Sequence, residues 1–137
     1  MSALKLNAGL LRVETLDVET LRREANQAGY RTFVLPEGVN DRASFFDAVR
    51  STLPLDPPVV SSHSWDALSD SLWEGLFALE DQRIAILWPG THTMAHTAAP
   101  DLEMALNVLR DVTGSLADPT ATSNRPKVVA VVVHGDG

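Results

Sequence analysis

The 137-residue chain is 45% hydrophobic and 21% charged, an ordinary globular balance that argues against disorder and predicts one domain over 1–137. It has no cysteine, which excludes a disulfide scaffold, a thiolate zinc site, an iron–sulfur cluster and a cysteine nucleophile. No apolar run approaches the ~18 residues of a membrane span, and the start, Met1 to Arg12, lacks the apolar core of a signal peptide, so the expected compartment is the cytoplasm.

Charge is more informative when divided along the chain. Lys and Arg number 11 and Asp and Glu 18, a net of −7. Residues 51–111 hold only Arg83 and Arg110 against Asp56, Asp66, Asp70, Glu74, Glu80, Asp81, Asp101, Glu103 and Asp111, and 2 − 9 accounts for all of it. Nucleic acid is a poor partner for such a surface, because phosphate binding needs a basic patch. A basic protein suits it, and so does a simple solubilising role.

In chain order, Leu10–Val13 reads as a short strand. Asp17 caps a helix over 18–28 that Gly29 closes. Thr32–Leu35 is a strand ended by Pro36-Glu37-Gly38. Asn40 or Asp41 caps a second helix whose buried stripe is Phe45, Phe46, Val49 and Leu53. Pro54, Pro57 and Pro58 hold the next stretch extended. Ser62 or Ser64 caps a third helix reaching about Phe77. Arg83–Trp88 is an apolar strand, and 91–99 has room for one helical turn. Pro100 and Asp101 open a further helix with Leu102, Ala105, Leu106 and Leu109 inward. Residues 114–126 read as a mobile loop. Lys127–Val133 has no polar alternation, the pattern of a parallel strand buried on both faces. Strands alternating with helices give an α/β fold with a small, mainly parallel sheet.

On the third helix, Leu68, Leu72 and Leu76 form the core stripe with Trp65 at its edge. Ser69, Trp73, Asp66 and Asp70 fall on one flank and Glu74 just beyond. Asp66 lies in the first turn, where the helix dipole favours it; Asp70 lies one turn further in. Such a flank is a solvated surface, a face presenting carboxylates to a partner's Arg and Lys, or a pair of catalytic carboxylates.

Trp65-Asp66-Ala67-Leu68-Ser69-Asp70-Ser71-Leu72 resembles the helix-start motif of the barstar family. Phe33–Val39 with Asp41–Phe46, Leu53-Pro54-Leu55 leading to Pro58, Ile84–Trp88, Asp101–Leu109 and Val128–Val133 are similar to that family's remaining elements, so the likeness spans about 30–133, with 1–29 an extension. The resemblance implies a sandwich of two or three layers around a three-stranded parallel sheet. It also implies an intracellular inhibitor, not an enzyme and without cofactor or metal, that binds a small basic extracellular ribonuclease as a 1:1 heterodimer and contacts neither nucleic acid nor membrane. The family's founding pair is itself the type example of charge-steered association. Carried over by position, Asp70 enters the enzyme's phosphate site, Asp66 approaches the base-recognition side and Glu103 meets a peripheral cation. His63, Ser64, Ser69, Trp73 and Glu74 complete the expected contact set. The family's Tyr-x-Gly-x-Asn loop is here Val60-Ser61-Ser62-His63-Ser64, and Trp73 is expected to take over the aromatic contact. An immunity protein against a basic toxin of another chemistry uses the same scaffold.

Other motifs are thin. His92 and His96 have zinc-compatible spacing if helical but no neighbouring Glu as in a His-Glu-x-x-His motif. No Gly-x-Ser-x-Gly elbow surrounds any serine, and no phosphate-binding glycine loop is present.

Overall fold

The computed structural model describes residues 6–14 and 16–134; the Met1–Lys5 part of the stretch read for a leader lies outside them. Four strands, β1 (Gly9–Val13), β2 (Arg31–Val34), β3 (Arg83–Trp88) and β4 (Val128–His134), alternate with five helices. These are α1 (Val18–Gln27), α2 (Arg42–Thr52), α3 (Trp65–Ala78), α4 (Thr91–Thr97) and α5 (Ala99–Leu116). The strands make one sheet in the order β1-β4-β3-β2, every neighbouring pair parallel.

The expected three-stranded sheet is therefore corrected to four. The segment at 9–13 pairs with the outer edge of β4, Gly9 opposite Ala130 through Val13 opposite His134. The physical reason lies in β4, a run of valines that would otherwise leave apolar backbone as an open edge. The layers number three. One face of the sheet carries Ile84, Ile86, Trp88, Val129, Val131 and Val133, packed by Phe45, Phe46 and Val49 of α2, Leu68, Leu72 and Leu76 of α3, and Leu106, Leu109, Val112 and Leu116 of α5. The other face carries Ala85, Leu87, Ala130 and Val132, also buried. There α1 packs: Ala25 is buried, Thr32 Oγ1 donates to Asn26 Oδ1 (3.1 Å) and Arg83 donates to Ala28 O (3.1 Å). The N-terminal extension thus supplies an edge strand and the cover of the second face.

Caps decide where the helices start. Asp17 accepts from the Thr20 N–H, and Asp41 makes a reciprocal capping box with Ser44. Ser64, rather than Ser62, caps α3 by accepting from the Ala67 N–H at 3.0 Å. Each of α2, α3 and α5 is followed or preceded by a parallel strand, so all three run against the strand direction. Lys127 fixes how α3 and α5 end. Its ammonium donates to Leu79 O (2.6 Å) and Asp81 O (2.5 Å) just beyond α3, and its N–H to Leu116 O (2.7 Å) at the end of α5. Burial holds the Lys127 pKa below the ordinary lysine value.

The loop expectation at 114–126 also needs correction. Helix α5 continues to Leu116, and the segment after it is closed by its own hydrogen bonds: Thr120 N–H to Asp118 Oδ1 (2.9 Å), Thr122 N–H to Asp118 O (3.2 Å) and Asn124 N–H to Pro119 O (2.7 Å). Thr122 is buried. Asp118 acts as a local turn former, as short carboxylates do.

Candidate protein-binding face

The acidic flank of α3 is built by the packing of its other sides. Toward α2, the extended stretch after Leu53 runs alongside the helix: Asp56 N–H donates to Ser71 O (3.1 Å) and Ser71 Oγ donates to Pro57 O. Toward α5, Trp73 Nε1 donates to Ser115 Oγ (2.9 Å). Beneath, the Leu68, Leu72 and Leu76 stripe enters the core. What remains outside is Asp66, Asp70 and Glu74, all exposed, with Ser69 half-buried beside them.

Among the described residues these carboxylates make no ion pair. Among the described residues, of the nine acids in 51–111 only Asp81 lies within salt-bridge distance of a cation, Arg31 at 3.2 Å. Arg83 is turned to Ala28 O, and Arg110 donates to Asn107 Oδ1 (3.1 Å) on its own helix. Both candidate carboxylates of α3 stand on one exposed face rather than across a cleft, the arrangement that acid–base catalysis by a pair requires. A cavity of about 640 Å³ bordered by Phe77, Leu79, Arg125 and Lys127 lies at the opposite end of α3.

The other expected contact residues are placed as follows. Ser64 uses its hydroxyl oxygen as the α3 cap. His63 is exposed and its N–H donates to Ser61 Oγ (3.1 Å). Trp73 is half-buried: it stacks on Phe77 with ring centroids 4.8 Å apart and is held by Ser115, so its indole joins α3 to α5. Glu103 is exposed in the second turn of α5, at the end of the molecule where α3 begins. It lies about 120° round α5 from Ser115, the residue that meets Trp73, so helical spacing turns it away from α3. Asp111, one turn before Ser115, is the exposed α5 carboxylate on the flank that meets α3. His92 and His96 do sit on one helix, and the His92 ring packs edge-on against His134 at 5.6 Å; among the described residues no group of three or more potential ligands is gathered for a metal.

Two exposed apolar side chains stand outside the expected contact set. Val60 is 92% exposed at the start of the loop leading into α3, and Met104 is 42% exposed on α5. For Val60 the available signal was its position, that of the family's tyrosine, at the head of the Val60–Ser64 stretch that ends in the α3 cap.

The fold and this face define a parallel α/β domain with helices on both sides of its sheet that exposes carboxylates at the start of one helix, unpaired among the described residues. No helix of the described residues is long and apolar enough to cross a membrane. The chain belongs to the barstar family: the family model described as Barstar (barnase inhibitor) matches residues 30–133. No curated protein and no solved structure matches the chain.

Proposed function

We propose that this protein inhibits a small, basic, secreted ribonuclease inside the producing cell, without catalysis, by seating the start of α3 and the loop before it in the enzyme's active-site cleft as a 1:1 complex. The observation that carries this is the pair of exposed, unpaired carboxylates Asp66 and Asp70 on the first two turns of α3, in a chain whose family is that of a barnase inhibitor. Asp70 and Asp66 are the central contacts. Ser64, His63, Ser69 and Glu74 surround them, and Glu103 and Trp73 lie at the edge. Residues 30–133 form the inhibitory core, supported by the 1–29 extension.

The experiment is to mix the protein with a panel of secreted guanyl-preferring ribonucleases and measure residual RNA cleavage and affinity. Asp70→Ala should cost about 3–5 kcal/mol of binding, because it leaves a partner cation buried without its mate. Unchanged affinity would remove Asp70 from the centre of the interface. One observation favours a second reading: the loop Val60–Ser64 offers an aliphatic side chain where the family has an aromatic one. The target is then a basic toxin of another chemistry, which shows itself as a bound partner that lacks ribonuclease activity.

A further inference from the structure

The loop that leads into α3 has no regular structure, yet one side chain from a different helix holds it. Arg50 lies in the last turn of α2, with its side chain only 27% exposed. One of its terminal nitrogens donates to Val59 O at 3.1 Å and reaches Ser61 O at 3.5 Å. The other donates to Ser62 Oγ at 3.1 Å and to Asp47 Oδ1 at 2.6 Å. The rigid, planar guanidinium thus binds the carbonyls on both sides of Val60, and Asp47 fixes the fork from behind. Anchored at Val59 O on one side and at Ser62 Oγ on the other, both at 3.1 Å, the short stretch between them is held against α2 with residue 60 inside it. Val60 is the residue displayed, at 92% exposure. Leaving a valine this exposed gains the free protein nothing, whereas burying it in a complex stabilises the complex.

We propose that Arg50 is the positioning residue of a preformed contact surface, the loop 59–62, and that Val60 is its apolar contact, fitted to a basic partner with an apolar spot beside its cationic cleft. The proposal rests on the inhibitory reading above. Charge complementarity with the adjoining Asp66 and Asp70 argues for a basic occupant, and the fork argues that the loop meets it already shaped. Preorganisation of this kind strengthens binding because less ordering remains to be done on association.

The test has two arms. In the free protein, backbone order parameters of the amides of residues 59–62 are compared by nitrogen-15 relaxation for the unmodified chain, Arg50→Gln and Arg50→Lys. Arg50→Gln should lower them toward flexible-loop values while leaving β3 and β4 rigid, and Arg50→Lys, a point charge without the fork, should restore only part of the order. In the second arm, affinity for whichever ribonuclease of the panel binds is measured for Arg50→Gln, Val60→Ser, the double variant and Asp70→Ala. Each single loop variant should weaken binding about tenfold, and the double variant by much less than the product of the two, because the first already misplaces the second's side chain. Unchanged order parameters in Arg50→Gln overturn the positioning role whether or not a partner is found. Lowered order with losses that simply multiply, or with undiminished affinity, overturns the link to Val60 while Asp70→Ala still upholds the inhibitory reading. Failure of Asp70→Ala to weaken binding overturns that reading, and the contact role of the loop with it.

Discussion

Replacing Gly75 by alanine is a test of sign. In an exposed helix interior the change stabilises by about 1 kcal/mol, because alanine is the better helix former. Gly75 is instead buried in the third turn of α3 against the extended segment after α2. A Cβ there would clash hard with the Pro54 carbonyl oxygen and lie 2.5 Å from the carbonyl carbon and 3.0 Å from the Leu55 nitrogen. Non-bonded carbons sit at about 3.5–4.0 Å, so residues 54–55 must retreat by about 1 Å. They are not free to do so, since Leu53 is buried and the Asp56 and Ser71 hydrogen bonds anchor the next residues to α3. Overpacking costs about 1–3 kcal/mol, and with backbone as the obstacle the upper end applies. Set against the helix-propensity gain, the net is about 2 kcal/mol of destabilisation, or a fall in Tm of roughly 6–12 °C for a domain of this size. Urea unfolding followed by circular dichroism reads it, as a lower midpoint at unchanged slope. Gly114→Ala is the control: it lies in the last turns of α5 with nothing within 4 Å of a built Cβ, and it should be stable or slightly stabilised. If Gly75→Ala behaves like Gly114→Ala, the close approach of the 54–55 backbone to α3 is wrong.

Three further outcomes follow from particular contacts. The Ser44 N–H and hydroxyl hold the Asp41 carboxyl below the usual aspartate value of 3.8, and the Thr20 N–H does the same for Asp17. A depressed folded-state pKa means that both caps stabilise fully above about 3.8 and lose their contribution as pH falls through the folded value, so Asp41→Asn should flatten part of the acid limb of stability against pH, and an unaltered limb would count against the capping box. The buried Trp88 indole N–H has no hydrogen-bond partner among the described residues, so Trp88→Phe removes an orphan donor and should cost under about 2 kcal/mol, against about 3–5 for truncation to alanine; equal costs for the two in chemical denaturation would mean that the N–H is satisfied. The association rate with a basic ribonuclease should fall steeply as salt rises while dissociation changes little, and a salt-insensitive on-rate in stopped-flow would refute steering by the acidic face.

Local chemistry made much of the fold legible in the sequence. Asp17, Asp41 and Ser64 announce helix starts because their side chains satisfy N–H groups within three residues. The valine run of β4 and the apolar β3 announce a parallel sheet because both faces must be covered. Contacts across the chain were not legible. The pairing of 9–13 with β4 joins residues more than a hundred positions apart, and its own pattern says only that it is extended. Gly75 reads as an indifferent helix residue until Pro54 is placed against it. For the candidate face, the Asp66, Asp70 and Glu74 flank followed from helical periodicity. The wheel fixes the angle of Trp73 and Glu103 on their own helices but not which neighbour they meet, and so it could not turn Trp73 onto Ser115 or Glu103 away from α3. The fork of Arg50 depends on loop backbone carbonyls, which carry no sequence signal.

The α3 face also predicts opposite effects of one change on the free and the bound protein. Asp66, Asp70 and Glu74 follow one another at i,i+4, two like-charge pairs with Asp70 in both. Asp66 is compensated by the dipole at its helix N-terminus, but Asp70 is one turn too far in to share that field, and no cation lies within salt-bridge distance of it among the described residues. The free chain therefore carries a small uncompensated repulsion at Asp70 that a partner's cation would relieve. Each like-charge pair costs about 0.2–0.5 kcal/mol, so Asp70→Asn, nearly neutral in helix propensity, should stabilise the free protein by about 0.5–1 kcal/mol at low salt and by less as salt screens the ladder. The same substitution should weaken the complex. A residue kept for the fold loses stability when it is changed, and a residue of an idle surface changes nothing in binding; only a carboxylate held for a partner moves the two in opposite directions. Urea midpoints at two ionic strengths, set beside the affinity of the same variant, decide it, and a destabilised Asp70→Asn would show that Asp70 serves the scaffold instead.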